Sequence, residues 1–258
     1  MTIDTDFHCH VSRTSAREMV AAAEARDLRV IGISEHDFQM SEARVTLPHL
    51  GPEGPLLTFD SYIDSVREAA QQSPIAVRLG MEVDFLPGKN AAIQALVQPY
   101  PWDFLIGSVH VVAGVQLERT GELTREEGEA RWLSYYALLR EAISSGFFDV
   151  VSHPVRMRVK NPHLPPALDD ELEHLAAVAT RCNVALEING YDMLSHPDLV
   201  RRLARACALQ RTPISVSSDA HRPGGIAQAH QASEEILREA GITKVRTWKQ
   251  REIEDYTI

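Results

Sequence analysis

The side chains best suited to hold metal ions lie at the ends of the chain's apolar runs. Reading each run to its C-terminal end gives His8 and His10, then His36, Glu82, His110 and His153, and finally Asp219 and His221. Six of the eleven histidines stand at these ends. Imidazole and carboxylate are ligands for zinc, iron and manganese, and neutral histidine is the commonest of them. His8-Cys9-His10 is an i, i+2 pair, which in a strand turns both imidazoles to one side and Cys9 into the wall. Asp219-Ala220-His221 repeats that geometry near the other end of the sequence. Glu82 closes the apolar run Leu79-Gly80-Met81. A carboxylate there costs several kcal/mol unless it is paired or coordinates a cation. Its two oxygens can bridge two cations roughly 3.5–4 Å apart, the arrangement of two-metal hydrolytic sites. Asp84 faces the same way, as a neighbour of the ligands or a substrate contact. His49, His163, His174, His196 and His230 fall in loops or on helices and read as structural.

Residues so far apart meet only if the elements carrying them share one face. β-rich runs alternate with helical segments throughout. Strands are expected over Ile3 to His10, Val30 to Ser34, Ala76 to Phe85, Phe104 to Val109, Phe148 to Ser152, Val184 to Asn189 and Pro213 to Ser217. Helices are expected over Ser15–Asp27, Phe59–Gln72, Arg125–Ser144, 169–182 with Asp169 as N-cap, Pro197–Leu209 and Ile226–Ala240. Trp132, Leu133, Tyr136, Leu139 and Ile143 form the apolar stripe of the third helix, and Gly146 follows it as a left-handed stop. Pro87-Gly88 breaks the third strand, and 38–58 reads as a loop. Seven strands alternating with six helices imply parallel strands with crossover helices, in a barrel or a doubly wound sheet. Polar residues at nearly every strand end favour the barrel, whose strand ends share one pocket. The expected fold is therefore α/β, one domain over residues 1–258, a (β/α)7 barrel with a doubly wound sheet as the alternative.

The 258 residues carry a formal charge of −10, which argues against a broad nucleic-acid-binding face but not against a small phosphorylated substrate. Three scattered cysteines, Cys9, Cys182 and Cys207, make no disulfide framework and suit a reducing cytoplasm. The acidic start has no basic region or apolar run of a secretory signal, and no stretch has the roughly 20 apolar residues of a membrane span. A cytoplasmic protein with no membrane and no nucleic-acid partner is expected; the oligomeric state is not readable.

Six ordered segments, Asp6-Phe7-His8-Cys9-His10, Ser34-Glu35-His36, Gly80-Met81-Glu82-Val83-Asp84, Gly107-Ser108-Val109-His110, Ser152-His153-Pro154 and Ser218-Asp219-Ala220-His221, resemble the motifs of the PHP (polymerase and histidinol phosphatase) superfamily. The resemblance spans nearly the whole chain and is closest to the histidinol-phosphate phosphatase branch. It implies a distorted seven-stranded barrel with two to three divalent metal ions, zinc, iron or manganese. It also implies a first metal on His8, His10, Glu82 and Asp219, and a second on Glu82, His110 and His153, with Glu82 bridging. A third would use His36 and His221. The family often places a further ligand shortly after the His-x-His pair; here Val11-Ser12-Arg13-Thr14-Ser15-Ala16 offers no His, Asp or Cys.

The chemistry these residues support is hydrolysis of a small phosphomonoester; the resemblance implies L-histidinol phosphate as the favoured substrate, with a nucleotide or sugar phosphate the alternative. A metal-bound hydroxide would attack phosphorus beside the bridging Glu82. Arg156 and Arg158 are candidate phosphate anchors, since guanidinium grips phosphate bidentately. Glu187 and Asn189 are candidate substrate contacts, and Glu35 and Asp6 are placed to orient ligands from behind. An amidohydrolase-like barrel also begins with His-x-His but commonly uses a strand-end Lys, which is absent. A metal-binding barrel without activity is the non-enzyme alternative.

Overall fold

The computed structural model describes residues 2–48 and 50–258; His49 lies outside the described residues. Seven parallel strands form one sheet in sequence order: β1 (Thr5–Asp6), β2 (Val30–Ile33), β3 (Ala76–Asp84), β4 (Phe104–Ser108), β5 (Val150–Val151), β6 (Ala185–Asn189) and β7 (Ile214–Ser217). The ends of the sheet meet beyond β1 and β7. Cys9 bridges Ala220, with His10 N donating to Ala220 O at 2.8 Å, and the result is a nearly closed barrel. Among the described residues, eight α-helices accompany it: α1 (Ala16–Glu24), α2 (Phe59–Gln71), α3 (Asn90–Val97), α4 (Arg125–Ser144), α5 (Leu168–Cys182), α6 (Gly190–Ser195), α7 (Pro197–Gln210) and α8 (His230–Ala240).

Local chemistry explains most of the boundaries. Ser15 caps α1 by accepting from Glu18 N, and Thr58 and Thr124 build capping boxes at α2 and α4. The inward stripe of α2 carries Tyr62, whose hydroxyl contacts the carbonyl oxygens of Ile33 and Gly80 and so pins the helix to β2 and β3. On α4, Tyr135 is buried in the place expected of Leu133, which is exposed. Tyr135 is drawn inward because its hydroxyl donates to His153 O at 2.8 Å.

Three expectations are corrected. Helix α5 starts at Leu168 after an Ala167 N-cap, because Asp169 pairs with Arg202 of α7 at 2.6 Å instead of capping. Helix α8 starts at His230, since Ala227 takes a positive φ of 55° and donates its N–H to Asp6 Oδ2. The first ladder is only two residues long, and the chain rejoins the sheet at the Cys9 bridge. Helix α3 and an antiparallel hairpin of Lys244–Lys249 with Glu252–Thr257 were not anticipated.

That hairpin plugs the end of the barrel away from the ligand residues. Trp248 stacks on Phe104 at 6.3 Å and meets Phe7 edge-on at 6.0 Å, with Val30, Ile106 and Val150 around them. Gly32 makes room for this cluster: a Cβ there would lie 2.7 Å from Phe104 Cζ and 3.0 Å from Phe7 Cδ1. One end of the barrel is thus sealed by aromatic packing, and the other is free for polar chemistry.

Candidate metal centre

At the open end, the strand-end residues converge around one carboxylate. Parallel register sets His36 beside Glu82, and the Glu82 N–H donates to Glu35 O at 3.0 Å. Glu82 Oε1 is faced by His153 Nε2 at 3.3 Å and His110 Nε2 at 3.4 Å. Glu82 Oε2 is faced by His36 Nδ1 at 2.5 Å, His8 Nε2 at 3.2 Å and His10 Nε2 at 3.6 Å. Asp219 Oδ1 lies 3.3 Å from His10 Nε2 and 3.8 Å from His8 Nε2. All eight candidate ligands therefore meet, with His221 outermost and stacked on His10 at 4.2 Å. His8 Nε2, both nitrogens of His10, His36 Nδ1 and Glu82 Oε2 are buried without a hydrogen-bond partner. Leaving so many strong polar atoms unpaired is costly unless a cation sits among them, so the donor set fits divalent metal.

Three of the imidazoles have a carboxylate behind them. His8 Nδ1 donates to Glu187 Oε1 at 2.7 Å, and His110 Nδ1 to Asp84 Oδ1 at 3.0 Å. Glu35 Oε1 lies 3.4 Å from His10 Nδ1. A carboxylate on Nδ1 fixes the tautomer that leaves the Nε2 lone pair for a metal. Glu35 also knits the backbone, its Oε2 accepting from Val11 N and Ser12 N. Asp6, expected behind a ligand imidazole, instead accepts from backbone N–H groups, Ser218 N at Oδ1 and Ala227 N at Oδ2, and so fixes the chain beside the ligands. His153 and Asp219 both hold positive φ, 34° and 57°, a strained conformation maintained by such contacts.

The substrate contacts expected from sequence divide differently. Glu187 is fully engaged with donors: besides His8, it accepts from His153 N, Ser217 Oγ and Asn189 Nδ2 at 2.7, 2.7 and 3.0 Å. Asn189 caps α6 and binds Glu187, Arg156 and Asp219. Asp84 is buried against His110 and Asp37. These three sit behind the ligands and do not face the cavity. Arg156 does line the cavity, but Nε is bound to Asp192 at 2.7 Å and Nη2 to Asp219 at 2.5 Å. Arg158 is not among the cavity residues. Sequence reading missed Asp37, Glu53, Arg13 and Arg119; the last three line the cavity of about 320 Å³ above the cluster. They come from turns without periodic signal. Of the histidines read as structural, His163 bonds Leu123 O and His230 bonds Thr5 O.

Electrostatics separates the histidines. Burial disfavours a charged His8, but Glu187, Glu82 and Asp219 outweigh it and raise its pKa well above the usual value. His10 rises to about 9, against burial, through Asp219 and Glu35. His153 falls to about 4, by burial first and then the Arg156 charge. Burial works against ionised Glu82, yet the histidines around it hold its pKa well below the ordinary carboxylate range. Glu53 is lowered to about 2 by His221 and its neighbours, again against burial.

Residues 3–190 match the family model described as PHP domain. This chain belongs to the PHP family. A probable histidinol-phosphatase of Deinococcus radiodurans is 30% identical over 205 residues, which cover 75% of this chain and 76% of that protein. The histidinol phosphate phosphatase of Lactococcus lactis subsp. lactis Il1403, solved with zinc, L-histidinol and phosphate, superimposes with a TM-score of 0.79. That match has 18% identity and covers 97% of this chain and 98% of the other. A chain of an archaeal ribonuclease P solved with mature tRNA shares the fold more distantly, with a TM-score of 0.54, 14% identity and coverage of 92% and 87%. The PHP-type barrel is thus shared with solved proteins, and family and relative mark the chain as an enzyme of the phosphatase class. Among the described residues, no helix is long and apolar enough to cross a membrane.

Proposed function

We propose that the enzyme hydrolyses a small phosphomonoester, L-histidinol phosphate foremost, at a centre in which Glu82 is shared by two divalent cations. The observation that carries this reading is the division of histidines between the two Glu82 oxygens. His110 and His153 face Oε1; His8 and His10, with Asp219 beside them, face Oε2, where His36 Nδ1 also stands at 2.5 Å. That division supports a carboxylate shared between two ligand sets, one on each oxygen. Zinc, iron or manganese all suit the donors.

Cations bound there supply the Lewis acidity that lowers a water's pKa toward about 7 and neutralises phosphoryl oxygens. The chain's own residues supply position. Glu187, Asp84 and Glu35 hold His8, His110 and His10 with their ligating nitrogens inward. Arg156 spends two of its nitrogens on Asp192, Asn189 and Asp219, fixing the Asp219 carboxylate and presenting its remaining edge to the cavity. Arg119 and Arg13, at the cavity wall, fit the phosphate-anchoring role better than Arg158 does. Phe38 stacks on His36 at 4.3 Å and gives the cavity an apolar wall, which strengthens electrostatic interactions beside it.

The likeness of the Deinococcus radiodurans relative supports histidinol phosphate as the substrate. A panel of phosphomonoesters tests it, with histidinol phosphate, nucleotides and sugar phosphates compared by kcat/KM on metal-replete enzyme. The reading expects histidinol phosphate to lead by at least about tenfold, roughly 1.4 kcal/mol of transition-state preference. A nucleotide or sugar phosphate in first place would overturn the substrate and leave the metal chemistry standing.

A further inference from the structure

The outermost histidine faces a carboxylate that sequence reading had not placed. His221 Nδ1 donates to Asp219 O at 3.1 Å, so its Nε2 offers a lone pair, and Glu53 Oε2 stands 3.2 Å away. Two acceptors at that distance repel each other unless a proton or a cation lies between them. Glu53 Oε2 is buried and has no hydrogen-bond partner. Arg13 Nη2 lies 3.3 Å from the same oxygen but outside hydrogen-bonding geometry. His10, His36 and His221 each present a ligand atom within 4.8 Å of the others.

The backbone shows how Glu53 comes to be there. Its N–H donates to Gln39 Oε1 at 2.9 Å, and Gln39 Nε2 donates to Pro55 O at 2.6 Å, which ties the loop to the turn after His36. The next residue, Gly54, lies on the Ser12 carbonyl oxygen, where any Cβ would collide. Ser12 belongs to the turn after His10, whose N–H groups are held by Glu35 and which carries no His, Asp or Cys. The 51–55 loop therefore covers the very turn that lacks a ligand, and it brings a carboxylate of its own.

We propose that Glu53 completes a third divalent-cation site with His36 and His221, replacing from the 51–55 loop the ligand missing after His10. The inference rests on the metal-centre reading above and adds a ligand to it. The competing role for Glu53 is simply to anchor Arg13.

The test is bound metal per chain, measured by elemental analysis after loading with zinc or with manganese and desalting, together with chelator competition for each equivalent. The wild-type chain is expected to hold three equivalents. Glu53→Gln should hold two, with the third weakened by about 100-fold or more and the first two unchanged. Glu53→His, which restores a ligand without the charge, should recover the third, and Arg13→Ala should retain it. Three tightly held equivalents in Glu53→Gln would overturn the proposal, as would loss of the third in Arg13→Ala. Two equivalents in the wild-type chain would remove the third site and leave the proposed function intact. Fewer than two would sink both.

Discussion

Glu187→Gln isolates the role of the carboxylate behind the ligands. Glu187 Oε2 accepts from the His153 backbone N–H and from Asn189 Nδ2, two donors that cannot become acceptors in place. A glutamine must therefore keep its oxygen on that side and turn its NH2 group toward Ser217 Oγ and His8 Nδ1. Ser217 can rotate its proton away. His8 can answer only by giving up the Nδ1 proton, and neutral imidazole then carries its proton on Nε2, the nitrogen facing Glu82 and Asp219. The substitution changes almost no volume but puts a proton where a metal ligand should be. Losing this kind of support costs about 10- to 100-fold in metal affinity. Exchanging charge-assisted bonds for neutral ones costs the metal-free protein about 2 kcal/mol. Chelator competition measures the first and urea denaturation the second. Metal affinity within about threefold of wild type, well below the expected loss, would refute the claim that Glu187 sets the His8 tautomer.

Other expectations follow from the same physics. Burial raises the Cys9 thiol well above its usual pKa and pushes Cys207 up to about 12, while Cys182 is exposed. A thiol-titrating disulfide reagent at pH 8 should find one reactive thiol in the native protein and three after denaturation; two or more fast native thiols would contradict the packing. Gly32→Ala forces a Cβ against the rings of Phe104 and Phe7 and should destabilise by about 1–3 kcal/mol in chemical denaturation. An unchanged midpoint would show that the aromatic plug is looser than described. His8 and His10 have folded-state pKa values raised above their unfolded ones, so their contribution stabilises the metal-free protein below the unfolded value of about 6.5. For His10 it is lost as pH rises through about 9. His110 is raised as well, Asp84 and Glu82 outweighing its burial, so metal loading at pH 7 should expel about three protons per chain, and metal retention should weaken as pH falls. Calorimetry in buffers of different ionisation enthalpy reads the count, and zero protons released would contradict these shifts.

The eight residues of the central cluster were legible because residue type and position at a strand end coincide. Parallel strands leave little freedom about where such side chains meet. What stands behind them was not legible. Glu187 and Asn189 alternate along β6 as substrate contacts would, and only the neighbouring strands and turns show them filled by His8, His153, Asp192 and Arg156. Glu53 lies in a non-repeating loop whose course is set by Gln39 and by the lack of a side chain at Gly54, contacts that no local pattern encodes. The C-terminal hairpin was invisible for a different reason. Its turn residues, Gln250 and Arg251, both take positive φ, 52° and 66°, where hairpin signals ordinarily show Asn and Gly. Asp103 rewards that conformation by accepting from Gln250 N through its side chain and from Arg251 N through its carbonyl.

The most direct test of the central claim is release of inorganic phosphate from L-histidinol phosphate, followed as metal-stripped protein is reloaded with zinc or manganese, alongside Glu82→Gln. A shared Glu82 predicts negligible hydrolysis in the stripped protein and a steep rise only as the second equivalent binds. It also predicts a loss of at least about 100-fold in kcat for Glu82→Gln, some 2.7 kcal/mol in barrier height. Full activity in stripped protein, or near-normal turnover by Glu82→Gln, would contradict it.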